Sequence, residues 1–345
     1  MSVGGRVDQA IGMLSRGLHG LRGPKNNTIL DVERHYLDLS PEALFPAPQP
    51  LEDVTIERTL ASRALRASTL SWRSMHQVLS PEYRRLHETV YRDNLTAWAR
   101  WLRPDGRMRA RCLVYVHGWL EPGSWVEEAL VFPRWVRELG VDVVHVSLPF
   151  HGKRNPRHAL FSGEYFWTAD LVRSIEGVRQ ATYDVRAIVE WLRRQRYAEV
   201  GVAGVSLGGA LTMILACLEP LPDYVIPIVC HLKLEAALEH ASILWRMKKD
   251  LERWNIGAEH RLDVFQRLGI SRYVPLLAPD RQLWVNARDD AHIDPELVLE
   301  QWRAWGKPNL HWIPGGHMTF PLYIPDITRA MGRFLDGLGR TALET

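Results

Sequence analysis

Gly204-Val205-Ser206-Leu207-Gly208, with Gly209 behind it, spells G-x-S-x-G. As a bare pattern this says little, because glycine and serine are common. Its surroundings say more. An apolar run at residues 200–205 leads in and another at 207–218 leads out, which predicts the strand, sharp turn and helix that expose a nucleophilic hydroxyl. The plainer alternative is a glycine-rich turn in which Ser206 only caps the helix. A serine hydroxyl is a weak nucleophile near neutral pH. It needs a base within hydrogen-bond reach, and that base must be oriented by a carboxylate. On such an architecture the acid and the histidine come later in the chain, each on a loop after a strand.

The sequence supplies both. Asn286-Ala287-Arg288-Asp289-Asp290 follows a strand-like run at 283–286, and Gly315-Gly316-His317 follows another at 310–313, ahead of a final helix over about 325–338. Asp290 is the choice of acid, three residues after the small Ala287 and three before Ile293. Asp289 is then a solvated neighbour or a partner of Arg288, and Asp294, before Pro295, reads as a helix N-cap. His317 is the choice of base among fourteen histidines, because flexible glycines precede it on a loop after the last strand. His292 and His311 are the alternatives. Acyl transfer also needs donors aimed at the developing oxyanion. His117-Gly118-Trp119 ends the run at 112–116, so the backbone N–H groups of Trp119 and Leu207 are the expected donors, with His117 organising the turn. His145, His151 and His158 lack ligand spacing on one element, so no metal is expected.

These residues need a scaffold. From residue 111 onward, Val-rich runs alternate with helical patterns: strands at 112–116, 141–148, 200–205 and 224–229, and helices at 126–139, 175–194 and 207–218. Such alternation implies crossover units and a mostly parallel central sheet with helices on both faces. The helical stretch at 231–280 is long for a connection and is a candidate cap over a pocket. Before the core lies an extension, residues 1–90, with an amphipathic helix at 7–21 (Val7, Ile11, Leu14, Leu18 and Leu21 on one face, Arg6, Arg16 and Arg22 elsewhere), a Pro-rich connector at 40–50, a strand at 54–60 and a helix at 82–93. A further strand is expected at 95–102. The first helix either packs on the protein's own body or lies on a membrane surface.

Composition sets outer limits. The chain has 345 residues, 46% of them hydrophobic and 24% charged, with a net charge of +3, which fits a globular protein and excludes wholesale disorder. The positive charge is scattered, so no nucleic-acid partner is expected. Cys112, Cys217 and Cys230 sit in apolar runs without C-x-x-C spacing and suggest a reducing, cytoplasmic setting. No secretory signal or membrane span is legible, and oligomeric state cannot be read.

With those residues in hand, the sequence resembles the α/β-hydrolase superfamily. The likeness rests on His117-Gly118-Trp119, Gly204-Val205-Ser206-Leu207-Gly208-Gly209, Asp290 and Gly316-His317, in that order, and covers about residue 95 to the C-terminus. It implies an α/β-hydrolase fold with an eight-stranded, mostly parallel sheet and a Ser-Asp-His triad that needs no cofactor. Leu148-Pro149-Phe150-His151-Gly152-Lys153-Arg154-Asn155-Pro156, with Asp170 and Glu176 after it, resembles the abhydrolase-domain-containing protein 18 group and bacterial esterase-like relatives. The expected activity is cleavage of a small-molecule or lipid carboxylic ester through an acyl-enzyme on Ser206. Trp119, Trp125, Phe161, Phe166 and Trp167 either line an acyl pocket or belong to the core. A lipid deacylase or acyltransferase at a membrane surface, or a binding protein that kept the fold, are the alternatives.

Overall fold

The computed structural model describes residues 3–20, 26–59, 65–104, 108–240 and 242–341. Among the described residues nine strands form one sheet: β1 Thr55–Thr59, β2 Leu65–Arg73, β3 Thr96–Pro104, β4 Arg111–Val116, β5 Val141–Ser147, β6 Glu199–Val205, β7 Val225–Ile228, β8 Leu283–Ala287 and β9 Asn309–Ile313. Their order across the sheet is β1-β2-β3-β5-β4-β6-β7-β8-β9. The first three strands run antiparallel to their neighbours, and every pairing from β5 to β9 is parallel. The expected count of eight is therefore corrected to nine. The missed strand is β2, whose buried Ser68 and Thr69 break the apolar pattern that marks an inner strand. Because β1 and β2 pair onward to β3, strands from before and after residue 90 belong to one sheet.

Alternation along each strand divides the core in two. β4 sends Cys112, Val114 and Val116 to the face covered by the helix Leu171–Arg194, and Leu113 and Tyr115 to the face where Phe132, Trp135 and Met331 pack. The helix Leu171–Arg194 starts four residues before the expected position, because Asp170 caps it by accepting the backbone N–H of Arg173 at 3.2 Å. Residues 29–45 and the stretch 74–79 after β2 also pack on it, so it is buried almost all round.

Two other expectations change. The single helix at 126–139 is two helices, Trp125–Leu130 and Phe132–Glu138. Pro133 has no N–H to continue the first ladder but suits the opening turn of the second. The connector at 40–50 contains a one-turn helix, Pro41–Leu44, capped by the Ser40 hydroxyl. The first helix spans Val3–Gly20; residue 21, expected to belong to it, lies outside the described residues, as does residue 60 of the expected strand at 54–60. All three cysteines are buried free thiols. Among the described residues no helix is long and apolar enough to cross a membrane.

Candidate active site

The chain leaves β4 first for β5 on one side and later for β6 on the other. Parallel sheets open a crevice at the carboxyl ends of strands where the order reverses in this way. Ser206 sits there, between β6 and the helix Leu207–Leu215. Its φ of +54° and ψ of −113° place a non-glycine residue in a conformation L side chains rarely adopt, the strained turn that thrusts a side chain out of the sheet edge. The turn closes against β4: a Cβ at Gly208 would collide with the Val116 carbonyl. Only glycine lets the two backbones approach so closely. The Ser206 hydroxyl makes no cap to the helix behind it, so the plainer reading of this serine does not describe it.

The loops after β8 and β9 bring the other two residues to it. His317 Nε2 lies 2.9 Å from Ser206 Oγ, and His317 Nδ1 lies 2.8 Å from Asp290 Oδ2. The second oxygen of Asp290 accepts the backbone N–H groups of His292 and Ile293, each at 2.8 Å, so the carboxylate is held at both ends. Asp289 is exposed, and its backbone N–H instead ties the loops together through the Gly315 carbonyl at 2.9 Å. Asp294 caps its helix through the N–H of Glu296. Burial pushes the His317 imidazole toward the neutral form, but the charge and hydrogen bond of Asp290, with Asp8 behind, outweigh it and the net shift is upward.

His317, rather than either alternative base, is the histidine hydrogen-bonded to Ser206. His311 pairs with Asp326 of the final helix at 2.8 Å. The buried His292 stands edge-on to His317, ring centroids 5.4 Å apart, and burial, with the charge of His317 next, lowers its pKa. His117 organises the turn: its Nε2 accepts the N–H of Leu148 at 3.0 Å, and its Nδ1 donates to the Gly118 carbonyl at 2.8 Å. Both ring nitrogens are thus engaged with backbone. His117, Glu121 and His145 do come within ligand spacing of one another, a cluster the sequence concealed because His145 comes from β5 and the other two from the stretch after β4. With the His117 lone pair already taken by Leu148, the trio does not suit a metal ion.

A cavity of about 380 Å³ opens from Ser206. Trp119, Trp167 and Leu207 line it, as do Leu234 and Leu244 from the helical stretch after β7, and Ile11 from the first helix. Of the other aromatic residues singled out for an acyl pocket, Phe166 is core, with Trp167 packed beside it, and Trp125 is exposed. Several polar wall residues were missed by sequence. His231 is lowered to about 4 by burial. Glu127 is raised to about 7, by burial first and by the neighbouring Glu121 carboxyl second. Their signal was weak: each lies outside the recognisable motifs.

The family model described as alpha/beta hydrolase domain containing 18 matches residues 67–237. That span includes the His117 turn and Ser206 and stops before Asp290 and His317. Two curated proteins of Mycobacterium tuberculosis, from strains CDC 1551 and H37Rv and both described as uncharacterized, are each 32% identical over 216 residues, 60% of this chain and 50% of the relative. The chain spans about half the length of the curated relatives it matches. Among solved structures, an acetyl xylan esterase from Paenibacillus sp. R4 superposes with a TM-score of 0.58 at 14% identity, covering 94% of this chain and 98% of that one. Acetyl xylan esterase 1 from Thermoanaerobacterium sp. JW/SL YS485 gives 0.55 at 15% identity, covering 91% and 99%. Likeness at these identities carries the fold.

Proposed function

Since the sheet and its covering helices form an α/β-hydrolase fold, we infer that the chain is a serine hydrolase that cleaves a carboxylic ester through an acyl-enzyme on Ser206. The observation that carries this reading is the unbroken hydrogen-bonded line from Asp290 through His317 to Ser206, ending at the wall of an apolar cavity. In the first half-reaction His317 Nε2 takes the hydroxyl proton as Ser206 Oγ attacks the ester carbonyl. The carbon–oxygen bond to the alcohol then breaks, and His317 returns that proton to the departing alkoxide. In the second half, water gives a proton to His317 as its oxygen attacks the acyl group, and the carboxylic acid leaves with Ser206 restored. Asp290 fixes the imidazole's orientation and stabilises its charged form, while the backbone N–H groups of Trp119 and Leu207 stabilise the oxyanion.

The two neighbours with this fold are described as acetyl xylan esterases; ester cleavage comes to this chain from the site's own geometry. The apolar walls favour an acyl or aryl group longer than acetyl, because displacing water from Trp119, Trp167 and Leu244 yields binding in proportion to the area covered. A panel of p-nitrophenyl esters of increasing chain length checks this. The kcat/KM should rise from acetate to butyrate or hexanoate, and a preference for acetate would contradict an apolar acyl pocket.

A further inference from the structure

The first helix, Val3–Gly20, reaches into the active site from the far end of the chain. Its described part does not bury the Val7–Ile11 stripe that its amphipathic pattern suggested; Gly4, Gly5, Asp8 and Gly12 are its buried residues, while Val7 and Ile11 are half-buried. Asp8 Oδ2 accepts the backbone N–H groups of His317 at 2.8 Å and Ala291 at 3.0 Å, and its Oδ1 accepts that of Met318 at 2.8 Å. One carboxylate therefore joins the loop that carries Asp290 to the loop that carries His317, through hydrogen bonds strengthened by its charge. The fit is tight on both sides. A Cβ at Gly4 would collide with the Gly315–Gly316 backbone, and a Cβ at Gly316 would collide with the Asp8 carboxylate. Gly316 thus serves close approach to this helix, where the sequence suggested only flexibility.

We propose that Asp8 is a positioning residue of the active site, and that the N-terminal helix is a working part of the catalytic apparatus because it locks the acid and base loops in register. The role rests on the serine-hydrolase reading of Ser206. Asp8 is not itself a wall of the cavity; it acts through the main chain of His317, Met318 and Ala291. Its loss should therefore lower kcat far more than it changes KM. Asp8 also adds negative potential at the imidazole. The titratable groups around His317 are Asp290 and His292 from the loop after β8, Ser206 from the turn after β6, and Asp8; the cavity adds Tyr115, Glu121, Glu127, Cys230 and His231. Removing the Asp8 charge lowers the His317 pKa and moves the acid limb of the kcat/KM profile to lower pH.

The test compares the full-length wild-type protein with Asp8→Asn and Gly4→Ala. Asp8→Asn replaces an acceptor by an amide donor facing at least one of the three N–H groups. Gly4→Ala keeps the carboxylate and forces the helix away from Gly316. Each should reduce kcat on p-nitrophenyl butyrate by about tenfold or more at a temperature where the protein is folded. Amide hydrogen exchange in peptides covering 289–293 and 315–319 should quicken by about tenfold or more, while peptides of β4 and β6 stay protected. An acid limb unmoved in Asp8→Asn, with the fall in kcat matched by a general loss of protection, would reduce Asp8 to a fold-stabilising residue and overturn the proposal. So would wild-type kcat and exchange in both variants. Wild-type protein that neither turns over the ester nor reacts with a fluorophosphonate overturns the hydrolase reading and the positioning role with it, and the exchange comparison still decides separately whether Asp8 joins the two loops.

Discussion

The helix Leu171–Arg194 and the loops after β8 and β9 both hold buried charge, and they hold it for opposite ends. On the helix, Arg179 meets Glu176 at 2.6 Å, Arg173 meets Asp170 at 3.0 Å, and Asp184 meets Arg154 at 2.9 Å. Glu176 also accepts the Tyr36 hydroxyl and the Leu79 N–H and lies 2.7 Å from His76 Nε2. That network closes on itself and binds the N-terminal segments to the core. In the loops, Asp290 and Asp8 hold His317, and the line ends on a hydroxyl that faces a cavity. Perturbed titration is common to both: burial raises the Glu176 carboxyl, but Arg179 and its hydrogen-bond donors bring it down to about 2, while His317 is moved upward. A shifted pKa alone therefore does not mark a catalytic group. What separates the two regions is whether the chain of charge ends on a fixed partner or on a reactive atom with space in front of it.

The comparison can be broken by mutation from each side. The largest effect belongs to His317→Ala, which should cut kcat on an activated ester by about a million-fold while circular dichroism melting stays close to wild type. Asp290→Asn should follow, with a loss of about ten-thousand-fold, because the amide no longer holds the imidazole in the orientation that leaves Nε2 free to accept the serine proton. On the other side, Glu176→Gln should leave the kcat of the folded protein near wild type. It should lower the unfolding free energy by about 3–5 kcal/mol in urea titration, since it strands Arg179 and His76 without their shared carboxylate. A large loss of kcat in folded Glu176→Gln protein would erase the distinction between the two regions.

The smallest effects come from pH, and they run in opposite senses. The folded-state pKa of Glu176 is depressed, so the stability it contributes is present above its unfolded value near 4.5 and is lost as pH falls toward about 2. Glu176→Gln should flatten that part of the curve. His317 is raised, so its contribution is present below its unfolded value near 6.5 and is lost as pH rises through its folded value. Activity goes the other way, because only the neutral imidazole accepts the Ser206 proton, so kcat/KM should climb over the range in which His317 stops stabilising the fold.

What the sequence revealed of this site depended on how local each signal was. Ser206 was legible because strand, turn and helix adjoin it within a few residues. Asp290 and His317 were singled out because they follow strands in a set order, and it is Asp290, not the exposed Asp289, that lies buried against His317. Asp8 was hidden by distance: its partner His317 is 309 positions away, and a lone acid in an amphipathic pattern reads as solvated. The clue was Gly4, Asp8 and Gly12 at steps of four, since glycine is a poor helix former and two on one face indicate close approach to another backbone. The burial of the charges on the helix Leu171–Arg194 was hidden in the same manner, because the N-terminal segments packed on it turn that face inward. Pro133 was a local signal in plain view, and helical periodicity obscured it.

The most direct test of the central claim is covalent labelling with a fluorophosphonate, read by intact mass and peptide mapping. Wild-type protein should gain one phosphonyl group, on the peptide containing Ser206, faster as pH rises through the His317 transition. Ser206→Ala should gain none. Failure of correctly folded wild-type protein to label, or labelling that persists unchanged in Ser206→Ala, would contradict the account.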